Sequence, residues 1–420
     1  MTLRFIQSGA NQADTGPGNI VAFPQSSTSP PGPPAALAEA LPPQATPCWL
    51  HLSPPQLAGS EYAALCATLD SGWIAPAGPV PRAFEAALGR ATGFEHVAAV
   101  SSGTAALHLG YRVLDVAAGD GVWTSSFTFV ATVAPAVQMG AVATFLDVCP
   151  DSWTLDPELL RTELARAARV GKLPRVVVPV DVYGQCCDLD TIVAICDRWG
   201  VAVMSDSAEA LGATQRGRAA GQGAQLAAFS FNGNKIITAG GGGALASDDE
   251  RLVARARFLA SQAREAGAHY QHDTIGYSYG LSSVLAAVGM AQLLHLEERV
   301  TQRRAVFARY LAGLGDLPGV SFMPEPAWGR SSRWLSTVLF DPAVFGADRE
   351  AVRRALHAAG IESRPLWKPL HLQPAFRGAG FVGPGVAAGL FERGLCLPSG
   401  AMSVSEQERV IEVVRGCARA

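Results

Sequence analysis

Residues 227–247 read AAFSFNGNKIITAGGGGALAS. The stretch opens on a short apolar run, AAFSF (227–231), closes on Gly240–Gly243, and carries Lys235 between them. A lysine at the end of a buried strand, followed by permissive backbone, reaches into a cleft. A desolvated ε-amine loses its proton readily and can form a Schiff base with an aldehyde. The plain alternative is a surface lysine in a glycine turn. The rest of the chain weighs against it: of 33 basic residues only Lys172, Lys235 and Lys368 are lysine. Lysine-dependent chemistry must use one of these three. None precedes Ser or Thr, which excludes a Walker A loop.

Upstream, short apolar runs alternate with helical patterns. HVAAVSS (96–102), VWTSS (122–126), VATFLDV (142–148), VVVPVDV (176–182) and VAVMSDS (201–207) read as strands. GTAALHLGYRVL (103–114), TFVATVAPAVQMG (128–140), 157–169 and 189–199 read as helices. This alternation predicts an α/β domain with a mostly parallel sheet and right-handed crossovers, with ligands at the carboxyl ends of the strands. Downstream, long helices are expected over 250–267 and 282–314. Strands at 320–325 and 334–340 and helices at 348–359, 386–394 and 403–418 suggest a smaller α+β unit. Residues 1–47 hold nine of the 28 prolines and lack periodicity. They read as a flexible extension, with a short apolar IVAF patch (20–23) and a helical turn at AALAEAL (35–41). The expected organisation is therefore an extension over 1–48, a large α/β domain over 49–281, a connecting helix over 282–314 and a small domain over 315–420.

Composition bounds the function. The 420 residues are 49% apolar with net charge −3. That excludes a collagen, a coiled coil and a wholly disordered chain. It also argues against nucleic-acid binding, which needs clustered positive charge. No apolar run approaches the ~20 residues that span a bilayer, and MTLRFIQSGANQ lacks signal-peptide character. A soluble, cytoplasmic protein is expected. The cysteines at 48, 66, 149, 186, 187, 196, 396 and 417 form no CxxC pair and no zinc-ligand spacing. Reduced thiols and no metal site are expected.

Three further elements join Lys235. Asp206 ends the apolar run VAVMSD, where a carboxylate can pair with a pyridinium nitrogen; SDSAEALGA also reads as a helix start capped by Asp206. SSGTAAL (101–107) sets small hydroxyl residues and Gly103 at a strand-to-helix junction, a natural phosphate cradle. Ser230 is a candidate extra hydroxyl ligand. Phe127 and Phe129, in SSFTFVAT, follow another strand, where an aromatic can cover a flat ring or simply join the core. An amine, a ring-nitrogen partner, a phosphate cradle and a ring cover converge on pyridoxal phosphate.

The stretches LHLSPP, SGWIAPAGP, SSGTAALHLG, SFTFVAT, VDVYGQ, SDSAEALGA, SFNGNKIITAGGGG and SRPLWKPLHLQPAF are spread through the globular region 49–420. Together they resemble the DegT/StrS sugar aminotransferases, a fold-type I branch of the pyridoxal phosphate enzymes. The SFNGNK and RPLWKPLHLQP forms most resemble enzymes that aminate a UDP-linked 4-keto-6-deoxy-N-acetylhexosamine, as in bacillosamine synthesis. The resemblance implies Schiff-base formation by Lys235, ring-nitrogen pairing by Asp206, and phosphate contacts from Gly103, Thr104 and Ser230. It implies ring stacking by Phe129 and places Glu209 near the cofactor's phenolic oxygen. Trp367, Lys368 and His371 would line the sugar-nucleotide side. L-glutamate as donor, a nucleotide-linked keto sugar as acceptor, and a homodimer with sites at its interface are also implied.

Three positions depart from the family pattern. GYSYG puts Ser278 and Gly280 where relatives carry the Asn and Arg of GYNYR, whose Asn reaches the neighbouring subunit's cofactor phosphate. DVYG puts Asp181 at a histidine position. A dehydratase of the same fold, a non-catalytic cofactor-binding regulator, and an aminotransferase with a different acceptor such as a dTDP- or GDP-linked keto sugar are the rival functions. The first resembles the chain less, because such relatives replace the lysine with histidine; the intact Lys235–Asp206 pair argues against the second. GAGFVG (378–383) spells a dinucleotide fingerprint but lacks its strand–turn–helix context. Cys186–Cys187 reads as ordinary thiols.

Overall fold

The computed structural model describes residues 49–418. The Pro-rich extension expected over 1–48, with its IVAF patch and AALAEAL turn, lies outside the described residues. Eight strands form the principal sheet: β1 (His96–Val100), β2 (Gly121–Ser125), β3 (Val142–Leu146), β4 (Val176–Val178), β5 (Ala202–Asp206), β8 (Leu226–Ser230), β9 (Gly243–Ser247) and β14 (Gly380–Val382). A three-stranded sheet contains β6 (Thr214–Gln215), β7 (Arg218–Ala219) and β11 (Gly329–Arg330). A four-stranded sheet contains β10 (Val320–Phe322), β12 (Ser336–Phe340), β13 (Arg364–Pro365) and β15 (Gly394–Leu397).

The principal sheet runs β1-β9-β8-β5-β4-β2-β3-β14. Only β9 opposes its neighbours, β1 and β8; the other pairings are parallel. Its apolar strands are buried almost end to end, as in a sheet covered on both faces. The carboxyl ends of β1, β2, β5 and β8 therefore share one edge. There β9 begins, with Gly243 opposite both Val100 and Ser230. A Cβ on Gly243 would lie 2.5 Å from the Gly103 nitrogen, and one on Gly103 would lie 2.9 Å from the Ser230 Cβ. The missing side chains let residues 103, 230 and 243 meet.

The structure corrects several expected elements. Residues 128–140 are not one helix but a 3₁₀ turn at Val130–Thr132 and a short helix at Ala134–Gln138. Pro135 lacks an amide hydrogen, and its ring clashes with a continuing helical turn. The strand expected over 176–182 ends at Val178, before Pro179. The helix expected over 250–267 stops at Ala260, because the carbonyls of Leu259 and Ala260 accept from Tyr277 and Tyr279 of a returning segment. The connecting helix over 282–314 is two helices, Ser283–Leu293 and Leu296–Leu314. A tighter turn, His295 N–H to the Gln292 carbonyl, separates them.

Leu296–Leu314 packs Val306, Tyr310 and Leu314 against Val338 and Phe340 of β12 and Leu395 and Leu397 of β15. At roughly 1.5–3 kcal/mol per buried large apolar side chain, this cluster holds the four-stranded sheet to its helices. The C-terminal segment is not wholly separate from the large sheet. β14 pairs in parallel with β3, and the Asp147 carboxylate accepts the amide hydrogens of Gly385, Val386 and Ala387 at 2.6–2.9 Å.

Candidate active site

Lys235 sits in the turn after β8, where its amide donates to the Asn232 carbonyl at 3.0 Å. Its side chain is 14% exposed, and Nζ lies 3.7 Å from Glu209 Oε1. The ammonium also stands 4.1 Å above the Trp334 ring, where the negative π-face attracts it. Lys172 and Lys368 are exposed.

Asp206 ends β5, fully buried. Its Oδ2 accepts from Thr132 Oγ1 at 2.7 Å and its Oδ1 from the Ala208 amide at 3.2 Å. Burial lifts its carboxyl above the ordinary range; the two hydrogen bonds and the Lys235 charge oppose that. The helix expected to start at Asp206 does not form: residues 207–213 are a succession of turns. Asp206 is therefore free of a capping role, and its partner Thr132 is delivered by the 3₁₀ turn ahead of Pro135. Glu209, in those turns, accepts the Tyr183 amide at 2.9 Å and Trp367 Nε1–H at 3.5 Å. Burial also raises its carboxyl, with the Lys235 charge as the main opposing influence.

Across the cleft, Ser102 caps the helix Gly103–Val113 by accepting the Ala105 amide at 3.0 Å. Gly103 and Thr104 occupy the first helical positions, whose amides lack intrahelical acceptors. Ser230 stands beside them. Of the two phenylalanines, Phe127 is core, packed edge-on against Trp153 and Tyr183. Phe129 is 51% exposed and stands 5.4 Å from the Trp367 ring. Trp367 in turn stacks on Tyr183.

Gly103, Thr104, Phe129, Asp206, Glu209, Ser230, Lys235 and Trp367 all line one cavity of about 420 Å³. Ser278, Lys368 and His371 do not. Ser278 faces a different cavity, beside Arg82, Arg257 and Gly280. His371 bonds Ser126 Oγ through Nδ1 at 2.6 Å and stacks on Phe381 at 3.8 Å; burial depresses its imidazole below the ordinary value. Sequence reasoning assigned no role to Thr132, Tyr183 or Trp334. Within VDVYGQ only Asp181 was singled out, and nothing local marks Thr132 or Trp334.

Asp181 lies behind Asp206, held by Ser207 Oγ at 2.7 Å and the Cys187 amide at 2.9 Å. Burial pushes its carboxyl up to about 6. The buried thiols of Cys186 and Cys187 are pushed well above the ordinary range, which leaves them unreactive. No group of His, Cys, Asp and Glu among the described residues could hold a metal ion. No helix among them is long and apolar enough to cross a membrane.

The donor set fits pyridoxal phosphate. One amine can take the aldehyde, one buried carboxylate can pair with the ring nitrogen, and a helix start with Ser230 beside it can take the phosphate. The close Gly103–Ser230–Gly243 packing leaves that helix start open to the cavity.

The comparisons agree with this chemistry. The model of the DegT/DnrJ/EryC1/StrS aminotransferase family matches residues 55–415. Over 370 residues the chain is 49% identical to the putative pyridoxal phosphate-dependent aminotransferase EpsN of Bacillus subtilis, covering 87% of this chain and 95% of that one. It is 32% identical over 364 residues to the GDP-perosamine synthase of Caulobacter vibrioides, covering 86% and 96%. The solved structure of DesI in the presence of its TDP-sugar product matches with TM-score 0.81 at 30% identity, covering 89% of this chain and 94% of that one. The chain belongs to the DegT/DnrJ/EryC1/StrS aminotransferase family and is a pyridoxal phosphate-dependent sugar aminotransferase of fold type I.

Proposed function

We propose that the protein transfers an amino group from L-glutamate to a nucleotide-linked 4-keto-6-deoxy sugar, of the UDP-N-acetylhexosamine type, for cell-surface glycan or amino-sugar synthesis. The observation that carries this reading is the meeting of Lys235 with the buried carboxylates Asp206 and Glu209 in one cavity at the carboxyl edge of the sheet. Pyridoxal phosphate, when bound, supplies the electron sink that lets an amino acid's Cα shed a proton. Lys235 Nζ would hold the cofactor and then carry a proton to and from the reacting carbon. Asp206, steadied by Thr132, would hold a protonated ring nitrogen. The amides at Gly103 and Thr104, with Ser230, would hold the phosphate, and Phe129 would cover the ring. Glu209 can accept or donate a proton near Lys235. Trp367 would meet the acceptor on the open side, with Lys368 and His371 placed beyond the cavity's own lining.

We take the protein to act in the cytoplasm as a homodimer, with a large domain over 49–281 and a small one over 315–420. The orientation of Ser278, away from the Lys235 cavity of its own chain, supports a contact to a neighbouring subunit. A second reading of the acceptor rests on the GDP-perosamine synthase and the DesI complex: a GDP- or TDP-linked keto sugar.

The test begins with the visible spectrum of the cofactor-loaded protein. L-glutamate should bleach the band, and UDP-, GDP- and TDP-linked 4-keto sugars are then compared for its recovery. Recovery fastest with the UDP-linked N-acetyl sugar supports the reading; recovery with GDP or TDP forms alone replaces it with the second. A band indifferent to glutamate overturns the donor.

A further inference from the structure

Arg303, on the helix Leu296–Leu314, is 4% exposed. Among the described residues it forms no ion pair with a carboxylate: burial and the nearby Arg299 charge are what act on it, and both depress it, to about 10. A buried charge without a counter-ion is costly, so its hydrogen bonds invite a reason. Its Nη1 donates to the Trp334 carbonyl at 3.1 Å and its Nη2 to Ser53 Oγ at 3.0 Å. Each of those residues donates onward to one atom. Ser53 Oγ–H reaches the Asn234 carbonyl at 2.8 Å, and Trp334 Nε1–H reaches the same carbonyl at 2.7 Å. That carbonyl belongs to the peptide joining Asn234 to Lys235.

The bracket is anchored at its outer end as well. On either side of Ser53's neighbour, the Leu52 amide donates to Glu362 Oε2 at 3.1 Å and the Leu52 carbonyl accepts the Ser399 amide at 2.8 Å. Trp334, held at its main-chain carbonyl by Arg303 and at its indole N–H by the Asn234 carbonyl, presents the ring over which Lys235 Nζ sits. A guanidinium suits this task because its fork reaches two acceptors in fixed geometry.

We propose that Arg303 is a positioning residue for Lys235. It holds Ser53 and Trp334 so that both donate to the Asn234 carbonyl, which fixes the peptide and the aromatic face that aim the lysine's side chain. This rests on the reading that Lys235 holds the cofactor.

The test uses the full chain loaded with pyridoxal phosphate, as wild type, Arg303→Met, and the double variant Ser53→Ala/Trp334→Phe. Borohydride reduction and peptide mapping locate the cofactor; with three lysines in the chain the assignment is unambiguous. Cofactor trapped elsewhere in the wild type sinks the reading of Lys235 itself. With cofactor on Lys235, Arg303→Met should lose at least half of the visible circular dichroism per bound cofactor. It should also slow the glutamate half-reaction tenfold or more. The double variant should match it, and adding Arg303→Met to the double variant should change little, because the changes act through one carbonyl. Loss of thermal stability with circular dichroism per cofactor and half-reaction rate both within twofold of wild type would overturn the proposal. If Arg303→Met does not fold, the double variant decides by the same thresholds.

Discussion

The proposed cofactor wall and the proposed acceptor rim of this enzyme are built in different ways. The wall comes from strand ends and a helix start: Asp206 closes β5, Ser230 closes β8, and Gly103 and Thr104 open the helix after β1. Parallel pairing of β5 with β8, and the opposed β9 between β8 and β1, bring those ends to one edge, so residue type and local pattern suffice to place them. The rim comes from the loop and 3₁₀ turn that follow β13, over 366–372. There Trp367 turns inward, onto Glu209 and Tyr183, Lys368 turns to solvent, and His371 turns to Ser126 and Phe381. Neighbouring residues in one motif thus have three fates. The lesson is that a motif on regular elements transfers side chain by side chain, whereas a motif on a loop transfers only as a segment.

The largest expected effect falls on the wall. Lys235→Ala should cut turnover by roughly 10⁴-fold or more, since it removes both the anchor and the proton carrier. Near-normal turnover would break the comparison outright. Asp206→Asn should lower kcat roughly 10²- to 10³-fold, the scale of losing one buried electrostatic partner, with KM for glutamate little changed. Steady-state kinetics with glutamate tell these apart.

Thr132→Val tests whether the broken 128–140 segment matters. It removes one hydrogen bond to a carboxylate, worth about 1.5–3 kcal/mol, so the glutamate half-reaction should slow by roughly ten- to hundredfold. An unchanged rate would mean that Asp206 needs no support from this turn. On the rim, Lys368→Ala should raise the acceptor's KM at most about fivefold, the scale of a solvent-screened charge. It should leave the glutamate half-reaction alone; a slowed half-reaction would place Lys368 in the wall.

The smallest effect concerns stability rather than chemistry. Burial lifts Asp181 from 3.8 to about 6, so between those values the folded chain holds a proton that the unfolded chain releases. Stability from this group is present below pH 4 and is lost as pH rises through about 6. Asn can accept the Cys187 amide and donate to Ser207, so Asp181→Asn should gain on the wild type in melting temperature from pH 4 to 6. The gain should stay level above that. A difference independent of pH would show that Asp181 is charged throughout.

Much of this was legible in the chain. The alternation of apolar strands and helices specified the α/β class, and the scarcity of lysine pointed to Lys235. Pro135 and Pro179, plain in the sequence, were read through by longer apolar patterns, so a broken helix and a shortened strand were missed. Other decisions belong to the tertiary structure because they depend on partners far along the chain. The end of the helix at Ala260 is decided by the amides of Tyr277 and Tyr279, which donate to the carbonyls of Leu259 and Ala260. Thr132 reaches Asp206 across 74 positions, and Trp334 reaches the Asn234 carbonyl across 100. The sequence by itself determined which groups could do chemistry, because side-chain type sets acid, base and donor character. Where those groups point, and how far burial lifts Asp206 and Glu209, only the folded chain decided, since exclusion of water and hydrogen-bond geometry exist only once distant segments pack.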